Sequence, residues 1–563
     1  MKKIIDSLKR KFKKYDIDGY VVPKNDDYFT EYSKINRLKV ISNFSGSAGL
    51  AVILKNKNYL FTDGRYAIQS KIESGKYFQI ISSEKIINCK LFKNLKLGLD
   101  PKLFTYDQIK KYFLKHNKIK LISKNLIDEI KPKKSPKSIP FFSLKKEIVG
   151  ENKESKINKI VKYLKKKKVD NLFVTAPENV AWILNIRGND GPNSPIPNCR
   201  LIINKSKKIF LITEPEKAKI LIKEKIINKN QLIETNNLQN KILLLNKKRF
   251  IIDNTTCSIF YENIIKSKFK IISRNDPIYL LKAIKNKTEI NNMIKSHILD
   301  GVALTKFIYW IKNINKKAIT EVDAQIKLEK FRKKNSNYLY PSFDTIAGSG
   351  ENGAIVHYRA KKENCRLIKK KDIFLCDSGG QYKYGTTDVT RTLCFSKPQT
   401  AIKDIYTKVL KGHIAVATTN LATNNTGKII DKRARKYLKK SNLDYDHGTG
   451  HGVGFFLNVH EGPQSISKFN NIKIEKGMIL SNEPGYYKKG KFGIRIENLI
   501  YVNKKNKIYF ENLTLVPLEK ELINYNLLTK LEKNYLFKYH LNVYAKISAY
   551  LNKKEKKWLA NLI

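Results

Sequence analysis

Three histidines fall within fourteen residues of DHGTGHGVGFFLNVHEGP (446–463): His447, His451 and His460. The glycines among them argue against a helix. They predict a loop or strand edge where backbone must come close to something. Two more of the chain's eight histidines, His357 and His413, lie within the preceding ninety residues. An imidazole can ligate a metal, donate to a developing negative charge or move a proton, and carboxylates nearby decide which.

Four such carboxylates stand out. In KDIFLCDSGGQYKYGTTDVTRTLCF (371–395) an apolar run ends in Asp377, glycines surround a turn, and a Thr-rich strand carries Asp388. The segment reads as a β-hairpin. With Tyr382 and Lys383 as a two-residue turn, Asp377 and Asp388 are expected directly opposite each other. Facing like charges destabilise a sheet, and a cation between them removes the penalty. The plainer alternative is one solvent-exposed aspartate at each strand end. Glu483 ends the run GMILSNEPG (477–485), and Glu497 lies in FGIRIENLIY (492–501), sharing a strand face with Arg495. A carboxylate between Ile496 and Leu499 needs a partner, either Arg495 or a metal. An oxygen-rich set with one imidazole favours Mn²⁺, Mg²⁺ or Co²⁺ over a thiolate-type zinc site. Two divalent ions balance four carboxylates, whereas one leaves the site over-anionic.

The elements that must position these groups occupy the last part of a 563-residue chain, too long for a single core. Residues 1–130 alternate helical stretches with short strands such as DGYVV (18–22), AVIL (51–54) and YLFTDG (59–64). KPKKSPKSIPFF (131–142), with three prolines and four lysines, reads as a linker. Residues 145–272 repeat the plan of the first segment. VDNLFVTAPEN (169–179) echoes IDGYVVPKNDD (17–27), and KIFLITEPEKAKIL (208–221) echoes NYLFTDGRYAIQSKI (58–72), so two copies of one α/β domain are expected. A helical stretch at 279–313, with one break, opens a third region over 276–515. A helical extension covers 516–563.

The formal charge of +61 suggests polyanion binding, but the lysine clusters are short, scattered and without an aromatic-rich binding motif. Solvated surface is the expected reading, with no specific nucleic-acid partner. No apolar run reaches bilayer length, and the charged N-terminus has no apolar core of a secretory signal. Six scattered cysteines without CxxC pairs fit reduced thiols, so a cytoplasmic location is expected and no membrane association.

These phrases together resemble the aminopeptidase P group of pita-bread metallopeptidases, in its long, three-domain form. The group's Asp, Asp, His, Glu, Glu ligand order is met by Asp377, Asp388, His451, Glu483 and Glu497. SFDTIAGSGENGAIVHYRA (342–360), HGTGHGVG (447–454), SNEPGYY (481–487) and GIRIEN (493–498) match as well. FSGSAG (44–49) and TDGRY (62–66) resemble the first domain of these enzymes, AWILNIRG (181–188) the second, and NLTLVP (512–517) the C-terminal extension. The resemblance implies an α/β (α+β) chain with two creatinase-like N-terminal domains and a pita-bread catalytic domain. It implies two divalent ions, usually Mn²⁺, and often a homodimer. The implied activity is removal of the first residue from peptides with proline second, by attack of a hydroxide held between the ions. Asp388 and Glu497 are the implied bridging ligands, with Asp377 on one ion and His451 and Glu483 on the other. Glu483 is the implied base. His357 and His460 bind substrate and stabilise the transition state, His447 lines the pocket, Arg495 orients the carboxylates and Arg65 reaches substrate. His116, His297, His413 and His540 are read as packing or surface residues. The competing readings are a prolidase-like dipeptidase or methionine aminopeptidase of the same fold, and an inactive pita-bread binding protein.

Overall fold

Continuous buried runs build the strands of the N-terminal half. In the computed structural model, which describes residues 1–87, 89–132, 138–245, 249–314 and 319–563, strand Gly19–Pro23 is buried at every position. Helices cover both faces of its sheet, and strands so enclosed read as continuous apolar runs. Val22 and Ile53 pack on one face with Ile5, Leu8 and Phe12 of helix Lys2–Lys14. Val21 and Val52 pack on the other with Phe104 and Phe113. Each of these apolar side chains contributes about 1.5–3 kcal/mol on burial.

Across its width this six-stranded sheet runs Gln79–Ser82, Asn58–Thr62, Leu50–Leu54, Gly19–Pro23, Lys96–Leu99, Lys118–Leu121. A second six-stranded sheet runs Leu232–Ile233, Ile209–Ile212, Arg200–Asn204, Asn171–Val174, Arg249–Ile252, Lys270–Ser273. Numbered along the chain, both orders are 4-3-2-1-5-6, the duplication read from the sequence echoes. Residues 133–137 of the predicted linker lie outside the described residues. Both sheets belong to one compact unit, Met1–Tyr279, and the rest of the chain forms a second, Leu280–Ile563.

In the second unit the predicted break of the long helical stretch falls between Ile278–Ala283 and Lys287–Asn313. There Asn286 caps the longer helix in a capping box with Glu289. Helix Glu321–Arg332 follows. Behind these helices lie a three-stranded sheet, Ile346–Ser349, Ile373–Ser378, Val389–Cys394, and a five-stranded one. The latter runs Glu461–Ile466, Gly450–Gly452, Ile479–Asn482, Asn498–Lys504, Ile508–Asn512. A second three-stranded sheet, Tyr338–Pro341, Gly380–Tyr382, Gly385–Thr386, a strand pair, Gly485–Lys488 and Phe492–Arg495, and helices Thr400–Ala417, Gly427–Lys439, Lys530–Ile547 and Lys553–Ala560 belong to the same unit.

The hairpin register differs from the expectation. Asp377 pairs with Thr390 and Tyr382 with Gly385, so Lys383 and Tyr384 make the turn. Tyr382 is fully buried and donates from its hydroxyl to Asp300 Oδ1 at 2.8 Å, which keeps it inside the strand. The two aspartates are therefore diagonal neighbours, not direct partners. Because the pairing moved by an even step, both still point to one face.

Candidate metal centre

All five predicted ligands sit at or beside strand ends. Asp377 is next to last in Ile373–Ser378, and Asp388 immediately precedes Val389–Cys394. His451 is the middle of Gly450–Gly452, and Glu483 follows Ile479–Asn482. Glu497 lies in the two-residue gap between Phe492–Arg495 and Asn498–Lys504, so the continuous strand predicted there is interrupted. Carboxylate oxygens of Asp377, Asp388 and Glu497 come within 4.8 Å of one another, and so do donor atoms of His451, Glu483 and Glu497. The two sets share Glu497. Asp388, His451 and His460 form a third such set, with the two imidazole rings 4.3 Å apart. His451 Nε2 is 3.5 Å from both Asp388 Oδ2 and Glu483 Oε1.

The electrostatics are those of a crowded anionic site. Burial, reinforced by Asp388 and Glu483, pushes Asp377 up to about 6 although Arg495 opposes the shift. Burial and the other three carboxylates hold Glu497 well above the ordinary range. Burial works against a charged His451, yet its hydrogen bond to Asp388 and the Glu483 carboxylate raise it to about 9. Glu483 is lowered: burial opposes this, but His451 and Arg495 prevail. Asp377 Oδ1 is buried without a hydrogen-bond partner. A buried acceptor so placed needs a cation or a proton. Clustered hard oxygens, one imidazole and an orphaned carboxylate oxygen fit a pair of divalent ions.

Neighbouring residues orient the set. Arg495 donates to Asp377 Oδ2 at 2.6 Å, to Thr390 Oγ1 at 3.1 Å and to the Tyr487 hydroxyl at 2.6 Å. Its ion-pair partner is thus Asp377. Glu497, for which the sequence left Arg495 or a metal as partner, instead accepts from Thr390 Oγ1 at 2.7 Å. Ser481 Oγ accepts from the His451 amide and donates to Glu483 Oε1. The Tyr487 hydroxyl, already accepting from Arg495, donates to His447 Nε2 at 2.8 Å, which leaves Nδ1–H to donate to the Gly448 carbonyl. His447 is therefore held neutral, and desolvation pushes it down to about 4.

Sequence reasoning missed Thr390, Ser481 and Tyr487. The available signal was spacing by two from a ligand, since Thr390 follows Asp388 and Ser481 precedes Glu483 by that step. His357 lies in the segment after the turn Gly350–Ala354, outside the three ligand sets. Arg65 belongs to the first unit, where its guanidinium forks onto Asp63 at 2.9 and 2.8 Å. His297, His413 and His540 are buried, which pushes them down to about 4, 3 and 4.

Comparison with known proteins places the chain in a family. The model of metallopeptidase family M24 matches residues 291–504, and that of its C-terminal region matches 507–562. Two creatinase/prolidase N-terminal domain models match 4–129 and 131–289. A probable Xaa-Pro aminopeptidase P of Laccaria bicolor is 36% identical over 97% of this chain and 90% of its own. One of Paracoccidioides brasiliensis is 36% identical over 98% and 97%. Among solved structures, an X-prolyl aminopeptidase of Caenorhabditis elegans, described as a cytosolic enzyme with a di-nuclear active site, is similar with a TM-score of 0.92. It is 28% identical, with 100% of this chain and 98% of that one covered. The prolidase of Pyrococcus horikoshii covers 66% of this chain at 26% identity, TM-score 0.54. Matched along nearly its whole length by such relatives, the chain belongs to the Xaa-Pro aminopeptidase P group of metallopeptidase family M24.

Proposed function

We propose that the protein is a dinuclear metallo-aminopeptidase that releases the N-terminal residue from peptides whose second residue is proline. The observation that carries this is the pair of ligand sets sharing Glu497, with Asp377 Oδ1 buried and unpartnered. Asp377, Asp388 and Glu497 would hold one ion, and His451, Glu483, Glu497 and Asp388 the other. Bound there, two divalent ions would polarise a carbonyl and lower the pKa of water toward neutrality. Mn²⁺ is our choice of ion. Glu483, kept ionised by His451 and Arg495, takes the proton of the attacking water. The leaving nitrogen of proline belongs to a tertiary amide with no N–H, so it must be protonated as the bond breaks, by the proton that Glu483 took from the water. His357 and His460 serve the developing oxyanion and the substrate. His447, locked between Tyr487 and Gly448, lines the pocket and steadies Tyr487. Arg495 orients the Asp377 carboxylate, and Arg65 reaches the substrate of a neighbouring subunit.

Two creatinase-like domains (1–130 and 145–272), a catalytic domain (276–515) and a C-terminal extension (516–563) are the proposed domains, in line with the four matched family models. We further assign a cytoplasmic homodimer, with peptides as its partners. Chelation and Mn²⁺ reconstitution, followed by assay on Arg-Pro-Pro and Gly-Pro, test the reading. Release of arginine from the tripeptide only by the reconstituted protein is expected. Cleavage of Gly-Pro alone would make it a dipeptidase, and full activity after metal removal would refute the mechanism.

A further inference from the structure

Helix Glu321–Arg332 carries a buried charge at each end, Glu321 and Arg332, both almost wholly enclosed. They are eleven residues apart, so at 3.6 residues per turn they lie within about 20° of each other on one face. Between them Ala324 and Leu328 continue the same buried stripe. The helix thus presents two polar ends, about 16 Å apart, to the interior of its unit.

Each end grips a different segment of the site. Glu321 accepts from the Ser349 amide at 2.7 Å, the Tyr358 hydroxyl at 2.7 Å and the Arg366 amide at 2.9 Å. It also accepts from the Asn352 side chain at 3.1 Å on both oxygens. These donors bracket His357, and Tyr358 is its neighbour in the chain. At the other end Arg332 donates to Asp300 at 2.7 and 3.2 Å and to Ser378 Oγ at 3.1 Å. Asp300 in turn accepts from the Tyr382 hydroxyl and Thr387 Oγ1, both at 2.8 Å. Ser378 follows Asp377 and Thr387 precedes Asp388. Successive strand residues face opposite ways, so gripping Ser378 from behind fixes where Asp377 points in front.

We propose that this helix is an alignment rod for the active site: Glu321 is a positioning residue for His357, and Arg332, through Asp300, is a positioning residue for Asp377 and Asp388. The inference rests on the roles given to those three residues above, and it makes the two ends of the rod separable. Residues that orient metal ligands typically carry 10- to 100-fold in metal affinity. Arg332→Lys is therefore expected to raise the Mn²⁺ dissociation constant of chelator-stripped protein by about that factor, with turnover regained at saturating Mn²⁺. Glu321→Gln and the milder Tyr358→Phe are expected to bind two Mn²⁺ with parental affinity. They should lose about tenfold or more in kcat, because a misplaced transition-state donor costs turnover.

Calorimetric Mn²⁺ titration and steady-state kinetics on the full chain read both arms. Where Glu321→Gln or Arg332→Lys does not fold, Tyr358→Phe and Thr387→Val carry the arms. Lys312→Gln breaks another ion pair of the same unit, with Glu519 at 2.7 Å, and is expected to lower Tm while moving neither readout. Parental Mn²⁺ affinity in folded Arg332→Lys and Thr387→Val would overturn the inference. So would parental kcat in Glu321→Gln and Tyr358→Phe, or a loss of affinity in Lys312→Gln equal to that in Arg332→Lys. His357→Ala, run beside them, separates the levels. If it turns over normally, the role of His357 has failed and the Glu321 arm falls with it. If it is impaired while the rod variants are not, only the rod falls.

Discussion

Asp377 stands between Arg495, which holds one of its oxygens, and a group of like-charged neighbours that its other oxygen faces without a partner. Stripped of metal, such a site should weaken the fold as pH rises. Asp377, raised to about 6, adds stability that is fully present below the unfolded carboxylate value of about 3.9 and is lost as pH passes 6. His451, raised to about 9, adds stability present below about 6.5 and lost toward 9. Glu497 acts in the same direction. Glu483 has the opposite sign, but its window lies below the ordinary carboxylate range. The Tm of chelator-treated protein should therefore fall between pH 5 and 9, and the increase in Tm on adding Mn²⁺ should grow over that interval. A metal-free Tm that rises with pH there would contradict the charge assignment. Ligands and donors should also separate by mutation. Asp388→Ala, at a residue common to two ligand sets, should lose both ions in a metal assay. His357→Ala and His460→Ala should keep both ions and lose roughly 10²–10³ in kcat. Loss of metal from His460→Ala would make His460 a ligand, which its place beside Asp388 and His451 renders a sharp test.

At the scale of elements, the hairpin between Asp377 and Asp388 depends on a close approach at Gly379. A Cβ there would meet the Thr387 carbonyl oxygen at 2.0 Å and Ser342 Oγ at 2.2 Å. The carbonyl belongs to the opposite arm of the hairpin, between Gly385–Thr386 and Val389–Cys394, and cannot move without moving the neighbouring Asp388. Gly379→Ala should cost about 1–3 kcal/mol through overpacking, read as a lower Tm. Metal stoichiometry should fall with it, because the displaced backbone carries Asp388, a proposed ligand. A variant with parental Tm and two bound ions would show that the strands separate more freely than this packing allows. The C-terminal helices are tied to the same region. Arg391 donates to the Glu497, Pro517 and Val516 carbonyls and to the Tyr539 hydroxyl, linking the catalytic sheet to helix Lys530–Ile547.

For the whole molecule the dominant number is +61. Among the described residues no helix is long and apolar enough to cross a membrane. Lysines are spread along the chain, and many of the described ones are exposed. Added duplex DNA should accordingly bind weakly, with affinity falling steeply as salt rises and without sequence preference. Fluorescence anisotropy over a salt series checks this. Tight, salt-resistant, sequence-selective binding would mean that a built nucleic-acid site is present after all.

What the residue types and order determined by themselves was considerable. Ligand chemistry follows from side-chain identity, so Asp377, Asp388, Glu483 and Glu497 stood out as candidate ligands before any fold, and the family resemblance picked His451 from the clustered histidines. The echo of one α/β segment in the next was legible because strand and helix periodicities are local, and the common 4-3-2-1-5-6 order bears it out. The hairpin register was not legible, because a buried hydrogen bond from Tyr382 to Asp300, 82 residues away, decides where the turn falls. The strand drawn through Glu497 was interrupted for a similar reason. Arg495 reaches Asp377 and Glu497 meets Thr390, both on strands more than a hundred residues distant. The grip of Glu321 and Arg332 on the site was equally hidden, since a charged residue at a helix end looks like a solvated one until the packed core encloses it. Local pattern names the groups that can do chemistry. Which of them meet, and through which oxygen, depends on long-range hydrogen bonds that exist only once the tertiary structure has excluded water.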